Sequence, residues 1–209
     1  VISVPLRLST QHADPIWALD LDHLLAALTP DTKALMINSP NNPTGAVYGP
    51  ATLEGIARAV IAQDLWLISD EVYDTQVWQG RHISPRSLPG MAERVLVVGS
   101  MSKSHAMTGS RIGWVIGPEA VIEHMTTLST HTTYGVPGFI QEAARFALDA
   151  GPALEHDIAI PFARRRSIAL DLLKTQNLVK AIPPEGAMYM MLDIRATGLS
   201  GNAFAERLL

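Results

Sequence analysis

Cysteine is absent from this chain of 209 residues. The absence excludes disulfides, iron–sulfur clusters and thiol chemistry, and it fits a protein of the reducing cytoplasm. Long apolar runs are missing too, because the longest ones, such as LWLIS and RVLVVG, are far too short to span a bilayer. The chain also opens without the basic, apolar and small-residue pattern of a signal peptide. We therefore expect neither a membrane location nor a secretory route.

Charge of either sign is scarce. Only 17% of the residues are charged, the net charge is −4, and no extended Lys/Arg-rich run occurs. A nucleic-acid partner is not expected, because such partners are bound through clustered positive charge. The seven histidines show no metal-like spacing with carboxylates, so no metal site is predicted. By contrast, 47% of the residues are hydrophobic, which at this length is enough to bury a sizeable core.

The order of apolar runs and helical patterns indicates an α/β fold. Near-continuous apolar runs end at Ser39, Asp70 and Ser100, and a fourth is closed by Gly117. Segments with helical spacing alternate with these runs, which predicts a mostly parallel sheet with helices on both faces. The predicted helices cover 20–28, 50–64, 119–128, 138–150 and 158–176, and two later strands cover 178–182 and 187–194.

The same pattern suggests a division into two parts. Residues 1–164 are predicted to be part of a large domain whose N-terminal portion is missing. Residues 165–209 are predicted to form a long helix and the incomplete start of a small α+β domain. Because VISVPLRL is typical of a strand already under way and GNAFAERLL of a helix that stops in its first turns, we interpret the chain as an internal piece of a longer protein.

Potentially reactive side chains follow three of the predicted strands. Asn42 lies in the loop NNPTG after the first, Asp70 and Tyr73 follow the second, and Ser100 and Lys103 follow the third. In open α/β sheets, ligands bind beyond the carboxyl ends of the strands. We therefore expect an amide, a carboxylate, a phenol, a hydroxyl and an amine to meet at one edge of the sheet.

These three segments together resemble the signature of the fold-type I, pyridoxal-phosphate-dependent aminotransferases of class I/II. SPNNPTG is similar to the family's Asn-Pro-Thr-Gly loop, SDEVYD to its Asp-x-x-Tyr strand end, and SMSKSHAMTGSRIGW to its Schiff-base lysine segment. PPEGAMYMMLDI resembles the opening of the family's small domain. Each motif alone is weak, but three in order at strand ends are specific.

The resemblance implies a role for each matched residue. Lys103 would form the internal aldimine with pyridoxal 5′-phosphate and later carry the proton from the substrate's Cα, while Asp70 would pair with the pyridine nitrogen. Tyr73 and Asn42 would hydrogen-bond the ring's 3′-oxygen. Arg111 and Ser100 would bind the phosphate; by the same resemblance, Lys103, Asp70 and Tyr73 are the catalytic residues and all six bind the cofactor.

The implied reaction moves an amino group between an L-amino acid and a 2-oxo acid, in a homodimer. The family's glycine-rich phosphate turn and ring-stacking aromatic precede this region, and its carboxylate-binding arginine follows it. The substrate pair is therefore left open. Other reactions of the fold also stay open: carbon–sulfur lyase, decarboxylase or synthase. So does a transcription regulator that carries such a domain after a basic DNA-binding one.

Simpler interpretations compete with each role. Asn42 and Thr44 suit a turn in any protein, Asp70 suits a cap, and Tyr73 suits a core aromatic. The S-x-x-K pattern of a serine acylase is present, but its S-D-N and K-T-G partners are not, so that class is rejected.

Some further residues are interpreted as structural. Trp66, Trp114 and Tyr189 are expected in the core, the arginines at 164–166 on a solvated helix face, and Pro43 after a trans bond.

Overall fold

The computed structural model describes residues 1–9 and 15–209. The strands in chain order are β1 (Arg7–Ser9), β2 (Ile16–Ala18), β3 (Ala34–Asn38), β4 (Trp66–Asp70), β5 (Val95–Ser100), β6 (Gly113–Ile116), β7 (Lys180–Ile182) and β8 (Met191–Asp193). The helices are α1 (Leu21–Ala26), α2 (Pro50–Ala62), α3 (Met101–Ser104), α4 (Glu119–Thr132), α5 (Gly138–Asp149), α6 (Pro152–Leu173) and α7 (Gly201–Leu208). Strands and helices alternate through the first half, which confirms the predicted α/β class.

The central sheet has the order β3-β4-β5-β6. Strands β3, β4 and β5 are parallel, and β6 runs antiparallel to β5. In register, Asn38 is level with Asp70, and Asp70 is level with Val98. Because parallel strands end at the same edge, the residues that follow Asn38, Asp70 and Ser100 emerge side by side.

Helix α2 packs the main hydrophobic core against this sheet. It begins with Pro50, whose missing N–H costs nothing at a helix start. Leu53, Ile56 and Val60 recur at helical spacing and are almost fully buried against Leu67 of β4 and its neighbours. Burial of each such side chain contributes about 1.5–3 kcal/mol, so this layer holds the sheet rigid beneath its polar edge.

The second half departs from the predicted element bounds. Of the strand expected over 187–194, only β8 forms, because Ala187 has a positive φ of 58° and its N–H donates to the Gln76 carbonyl. Helix α6 starts at Pro152, six residues before the predicted start, and runs through Pro161. Strand β1 covers Arg7–Ser9, so only two residues of the predicted opening strand VISVPLRL are in a strand.

The structural interpretations of Trp66 and Arg166 are wrong. Trp66 is not in the core, since its position alternates outward on β4 and it is 39% exposed. Arg166 is not on a solvated face: its Nε donates to the Pro184 carbonyl at 2.8 Å, and burial lowers the pKa of its guanidinium. No helix in the described ranges combines the length and apolar character needed to cross a bilayer.

Candidate active site

The loop after β3 is fixed by an asparagine that the sequence patterns did not single out. Asn38 Oδ1 accepts the Asn42 N–H at 2.7 Å, and Asn38 Nδ2 donates to the Asp70 carbonyl at 3.2 Å. Asn38 therefore ties the loop that carries Asn42 to the strand that carries Asp70. The Asn42–Pro43 peptide bond is cis, not trans as expected, and the Ser39–Pro40 bond is cis as well.

Other side chains of this loop serve the turn itself. Asn41 Oδ1 accepts a hydrogen bond from Thr44 Oγ1 at 2.6 Å and another from the Thr44 N–H at 3.3 Å. These contacts close the turn, so the Thr44 side chain stabilises the turn, as the simpler interpretation expected. Asn42 has a different environment, because its side-chain amide lies near the Tyr73 hydroxyl, from the neighbouring strand end, and lowers the pKa of that phenol.

Tyr73 lies at the centre of the site. It is 3% exposed, and its hydroxyl oxygen lies 2.8 Å from that of Tyr189, with the two rings edge to face at 5.8 Å. Burial is the largest cause that raises the pKa of Tyr73, followed by the hydrogen bond and charge interaction with Tyr189 and by the charge of Asp70. The Asn42 amide lowers it, as a donor to the phenol oxygen does. Tyr73 is therefore a neutral phenol that keeps one hydrogen to donate.

Tyr189 is a functional candidate that sequence reasoning missed. It was expected in the core, but it is only half-buried and its hydroxyl belongs to the polar edge. No local signal points to this role, because 116 positions separate it from Tyr73. A cavity of about 260 Å³ lies against its other side, lined by Trp78, Phe162 and Met190 among others.

The turn 183–186 brings Tyr189 to this position. The Gly45 carbonyl accepts the N–H groups of Glu185 and Gly186 at 3.0 and 2.8 Å. Gly45 has a φ of 73°, and a Cβ there would overlap the Pro184 side chain. A glycine is required at this close approach, so the NNPTG loop and the PPEG turn are packed directly on each other.

The lysine segment folds back on its own strand. Ser100 caps the short α3, where its Oγ accepts the Ser102 N–H at 3.0 Å and donates to the Ile112 carbonyl at 3.3 Å. The Met101 N–H donates to the same carbonyl. Residues 100–112 thus form a closed loop with Lys103 and Arg111 near its two ends. The Ser100 hydroxyl already has local partners, so its assignment to a phosphate stays a prediction.

Arg111 closes this loop in a left-handed conformation, with φ 52° and ψ 47°. Its side chain is exposed, and one terminal nitrogen donates to the Thr108 carbonyl at 3.1 Å. Such a backbone costs a non-glycine residue about 1 kcal/mol or more and persists where the surroundings impose it. The guanidinium keeps further N–H groups for an anion.

The edge holds charges that are not neutralised by protein partners. Within residues 1–9 and 15–209, the half-buried Lys103 ammonium forms no hydrogen bond or ion pair. The Asp70 carboxylate accepts only the Val72 N–H at 3.2 Å, and no cation pairs with it in the same ranges. Partly buried charges are normally paired. These side chains match pyridoxal phosphate group by group. The amine suits its aldehyde, the carboxylate its cationic ring nitrogen, the phenol its ring oxygen and the arginine its phosphate.

This combination of sheet and strand-end residues defines the class of pyridoxal-phosphate-dependent transferases. The family model for class I and II aminotransferases matches residues 2–209. The chain belongs to this family, whose members depend on pyridoxal phosphate.

Named relatives agree with this assignment. The chain is 45% identical to the arginine–pyruvate transaminase AruH of Pseudomonas aeruginosa, over all of this chain and 52% of that protein. It is 40% identical to the aspartate/prephenate aminotransferase of Thermus thermophilus, over 91% of this chain and 49% of that protein.

Solved structures extend the similarity to three dimensions. The N-succinyldiaminopimelate aminotransferase of Mycobacterium tuberculosis superimposes with a TM-score of 0.88 at 33% identity, over 98% of this chain and 52% of that one. The aromatic aminotransferase of Pyrococcus horikoshii gives 0.83 at 38% identity, over 91% and 52%. The chain thus spans about half the length of the relatives it matches.

Proposed function

We propose that the protein containing this chain is an aminotransferase that moves an amino group between an L-amino acid and a 2-oxo acid. The observation that carries the proposal is the Lys103 amine, which has no partner among the residues that the structure describes and follows the strand edge where Asp70, Tyr73 and Asn42 also lie. The named relatives support the substrate class, since their names refer to arginine, pyruvate, aspartate and prephenate.

In this mechanism, pyridoxal phosphate supplies the electron sink that stabilises a carbanion at the substrate's Cα. Asp70 would hold a proton on the ring nitrogen, and Tyr73 and Asn42 would direct hydrogen-bond donors at the ring oxygen. Arg111, with Ser100, would hold the phosphate, where a planar guanidinium suits bidentate contact. Lys103 would bind the cofactor aldehyde and then, as a free amine, would take the proton from the substrate's Cα and deliver it to the cofactor's C4′.

The test is a screen of half-reactions with the protein expressed from its complete reading frame. Each L-amino acid is added to the cofactor-loaded protein without a 2-oxo acid, and arginine is tried first because of AruH. An aminotransferase converts the bound cofactor to pyridoxamine phosphate and releases one 2-oxo acid per site. A Lys103→Ala variant serves as control and is expected to release none.

Release of carbon dioxide or of a side-chain fragment without pyridoxamine phosphate would contradict transamination. It would favour the decarboxylase or lyase reactions that share this fold. Such an outcome would leave the assignment of the cofactor site intact, because both reaction types need the same lysine.

Three further properties of the protein are proposed. We infer a homodimer, supported by large apolar side chains on α5 and the loop before it that are exposed in the single chain, including Tyr134, Phe139 and Phe146. We infer a cytoplasmic location, supported by a composition without cysteine. The division into a partial large domain, 1–164, and the start of a small domain, 165–209, is proposed as well.

A further inference from the structure

Directly after Asp70, the chain buries a second carboxylate that the proposed mechanism does not use. Glu71 is 6% exposed, and it continues the alternation of buried positions at Leu67 and Ser69 in β4. Successive residues of an extended segment point to opposite sides. Glu71 therefore points inward where Asp70 stays half-buried at the strand end. Burial of a carboxylate is strongly unfavourable unless it is paired and hydrogen-bonded.

Both oxygens of the Glu71 carboxylate have partners from the loop that follows Tyr73. His82 Nε2 lies 2.8 Å from Oε2, and Ser84 Oγ donates to Oε1 at 2.8 Å. The His82 side chain is itself only 15% exposed. Its Nδ1 is buried and has no hydrogen-bond partner among the described residues. The ring's one strong contact is therefore the one to Glu71.

The backbone of Glu71 joins the elements that carry the site. Its N–H donates to the Val98 carbonyl of β5 at 2.9 Å, and its carbonyl accepts the Asp74 N–H at 3.0 Å. The first bond prolongs the pairing of the two parallel strands beyond Asp70. The second closes the turn in which Tyr73 lies. The placement of Asp70 and Tyr73 thus depends on how firmly Glu71 is held.

We propose that Glu71 is a positioning residue for the cofactor site. Its carboxylate, clamped by His82 and Ser84, holds the strand end from which Asp70 and Tyr73 reach the pyridine ring. The inference rests on the proposed function, since it assumes that this edge binds pyridoxal phosphate. Glu71 itself points to the side of the strand opposite Asp70 and has no part in the chemistry proposed above.

Glu71→Gln and His82→Gln, alone and combined, test the clamp in the complete protein. Glutamine keeps the size of Glu71 and one acceptor for Ser84, but it removes the charge. The control is Asp20→Asn, because the Asp20 carboxylate also has both oxygens engaged, by Arg7 at 3.1 Å and by the His23 N–H at 3.0 Å. Asp20 caps α1, and these two side-chain contacts join it to Arg7 and His23, which belong to β1 and α1 and not to the strand ends that carry the site.

The first measurement is amide hydrogen exchange without cofactor. In E71Q the amides of positions 71 and 74 should exchange about tenfold faster, the size of one lost hydrogen bond to a charged group, while those of α2 should not change. The second is equilibrium binding of pyridoxal phosphate, which should weaken by about tenfold as well. The double variant should bind pyridoxal phosphate no more weakly than E71Q does, because both substitutions remove the same interaction, the one between Glu71 and His82.

The outcomes separate this inference from the proposed function. If the wild-type protein does not bind pyridoxal phosphate, the proposed function fails and the positioning role fails with it. If the wild type binds but E71Q leaves exchange or affinity unchanged, only the positioning role is overturned. Exchange that rises equally throughout the chain, or losses that D20N reproduces, would make Glu71 a general stabiliser and also overturn it. Should E71Q not fold, H82Q supplies the same two measurements.

Discussion

The hydroxyl oxygens of Tyr73 and Tyr189 lie 2.8 Å apart, although 116 positions separate the two residues along the chain. The contact joins the turn after β4 to the segment after the PPEG turn. The pKa of Tyr73 is raised first by burial and then by its hydrogen bond to Tyr189. The contact therefore helps to keep Tyr73 in its neutral form.

Tyr189→Phe is expected to lower the pKa of Tyr73 without returning it to the ordinary value. Burial remains in the variant, but the hydrogen bond that favours the neutral phenol is lost. A pH titration of the Tyr73 ring carbon by NMR, in protein labelled at tyrosine, measures the change. An unchanged or higher titration midpoint in the variant would show that the Tyr189 hydroxyl does not act on Tyr73.

Arg111→Gly should separate cofactor affinity from stability. Glycine relieves the left-handed strain at φ 52° but gains freedom in the unfolded chain, so the free energy of unfolding should stay within about 0.5 kcal/mol of wild type. Loss of charge-assisted hydrogen bonds to the phosphate should weaken binding of pyridoxal phosphate by about 10–100-fold. Arg111→Lys keeps the charge without the planar guanidinium, so its affinity for pyridoxal phosphate should lie between those of R111G and the wild type. Wild-type affinity in R111G would remove Arg111 from the site.

Gly45→Ala tests the packing of the NNPTG loop on the PPEG turn. At φ 73° an alanine pays about 1 kcal/mol for its backbone, and its Cβ would also overlap Pro184. We expect a total loss of about 3 kcal/mol in the free energy of unfolding. Gly80→Ala is the matched control, since Gly80 has φ 75° and open space around its Cβ position, so only the backbone cost of about 1 kcal/mol remains. Equal losses in denaturant titrations of the two variants would contradict the close approach.

The burial of Tyr48 should make the free energy of unfolding depend on pH in the alkaline range. Burial raises the pKa of Tyr48 to about 12, whereas an unfolded tyrosine ionises near 10. Between these values the unfolded chain has lost the proton and the folded chain has kept it, so the free energy of unfolding falls as the pH rises. Tyr48→Phe should have a shallower decline over that window, by up to one proton in the slope. The same slope in both proteins would show that Tyr48 ionises alike in the folded and unfolded states.

The α/β class and the strand ends were predictable because both depend on local patterns. Buried parallel strands are apolar along their whole length, so the runs that end at Ser39, Asp70 and Ser100 stand out in the sequence. Parallel order alone then brings Asn42, Tyr73 and Lys103 to one edge. This prediction needed no knowledge of any particular contact between side chains.

Contacts between distant segments were not predictable in the same way. Asn38 lies within an apolar run, and its role depends on the β3–β4 register. Tyr189 and Arg166 were assigned from their neighbours in sequence, but each finds its partner across the fold. The Glu71–His82 pair likewise forms between a strand end and the following loop. No periodicity marks such pairs, because they depend on how the elements pack.

The proposed function depends on Lys103 as the amine that holds the cofactor. Borohydride reduction of the complete protein loaded with pyridoxal phosphate, followed by peptide mapping, is the measurement that tests this role. We expect one modified peptide, covering the SMSKSHAMTGSR segment, with the cofactor fixed to Lys103. Modification at another lysine, or no modification at all, would contradict it.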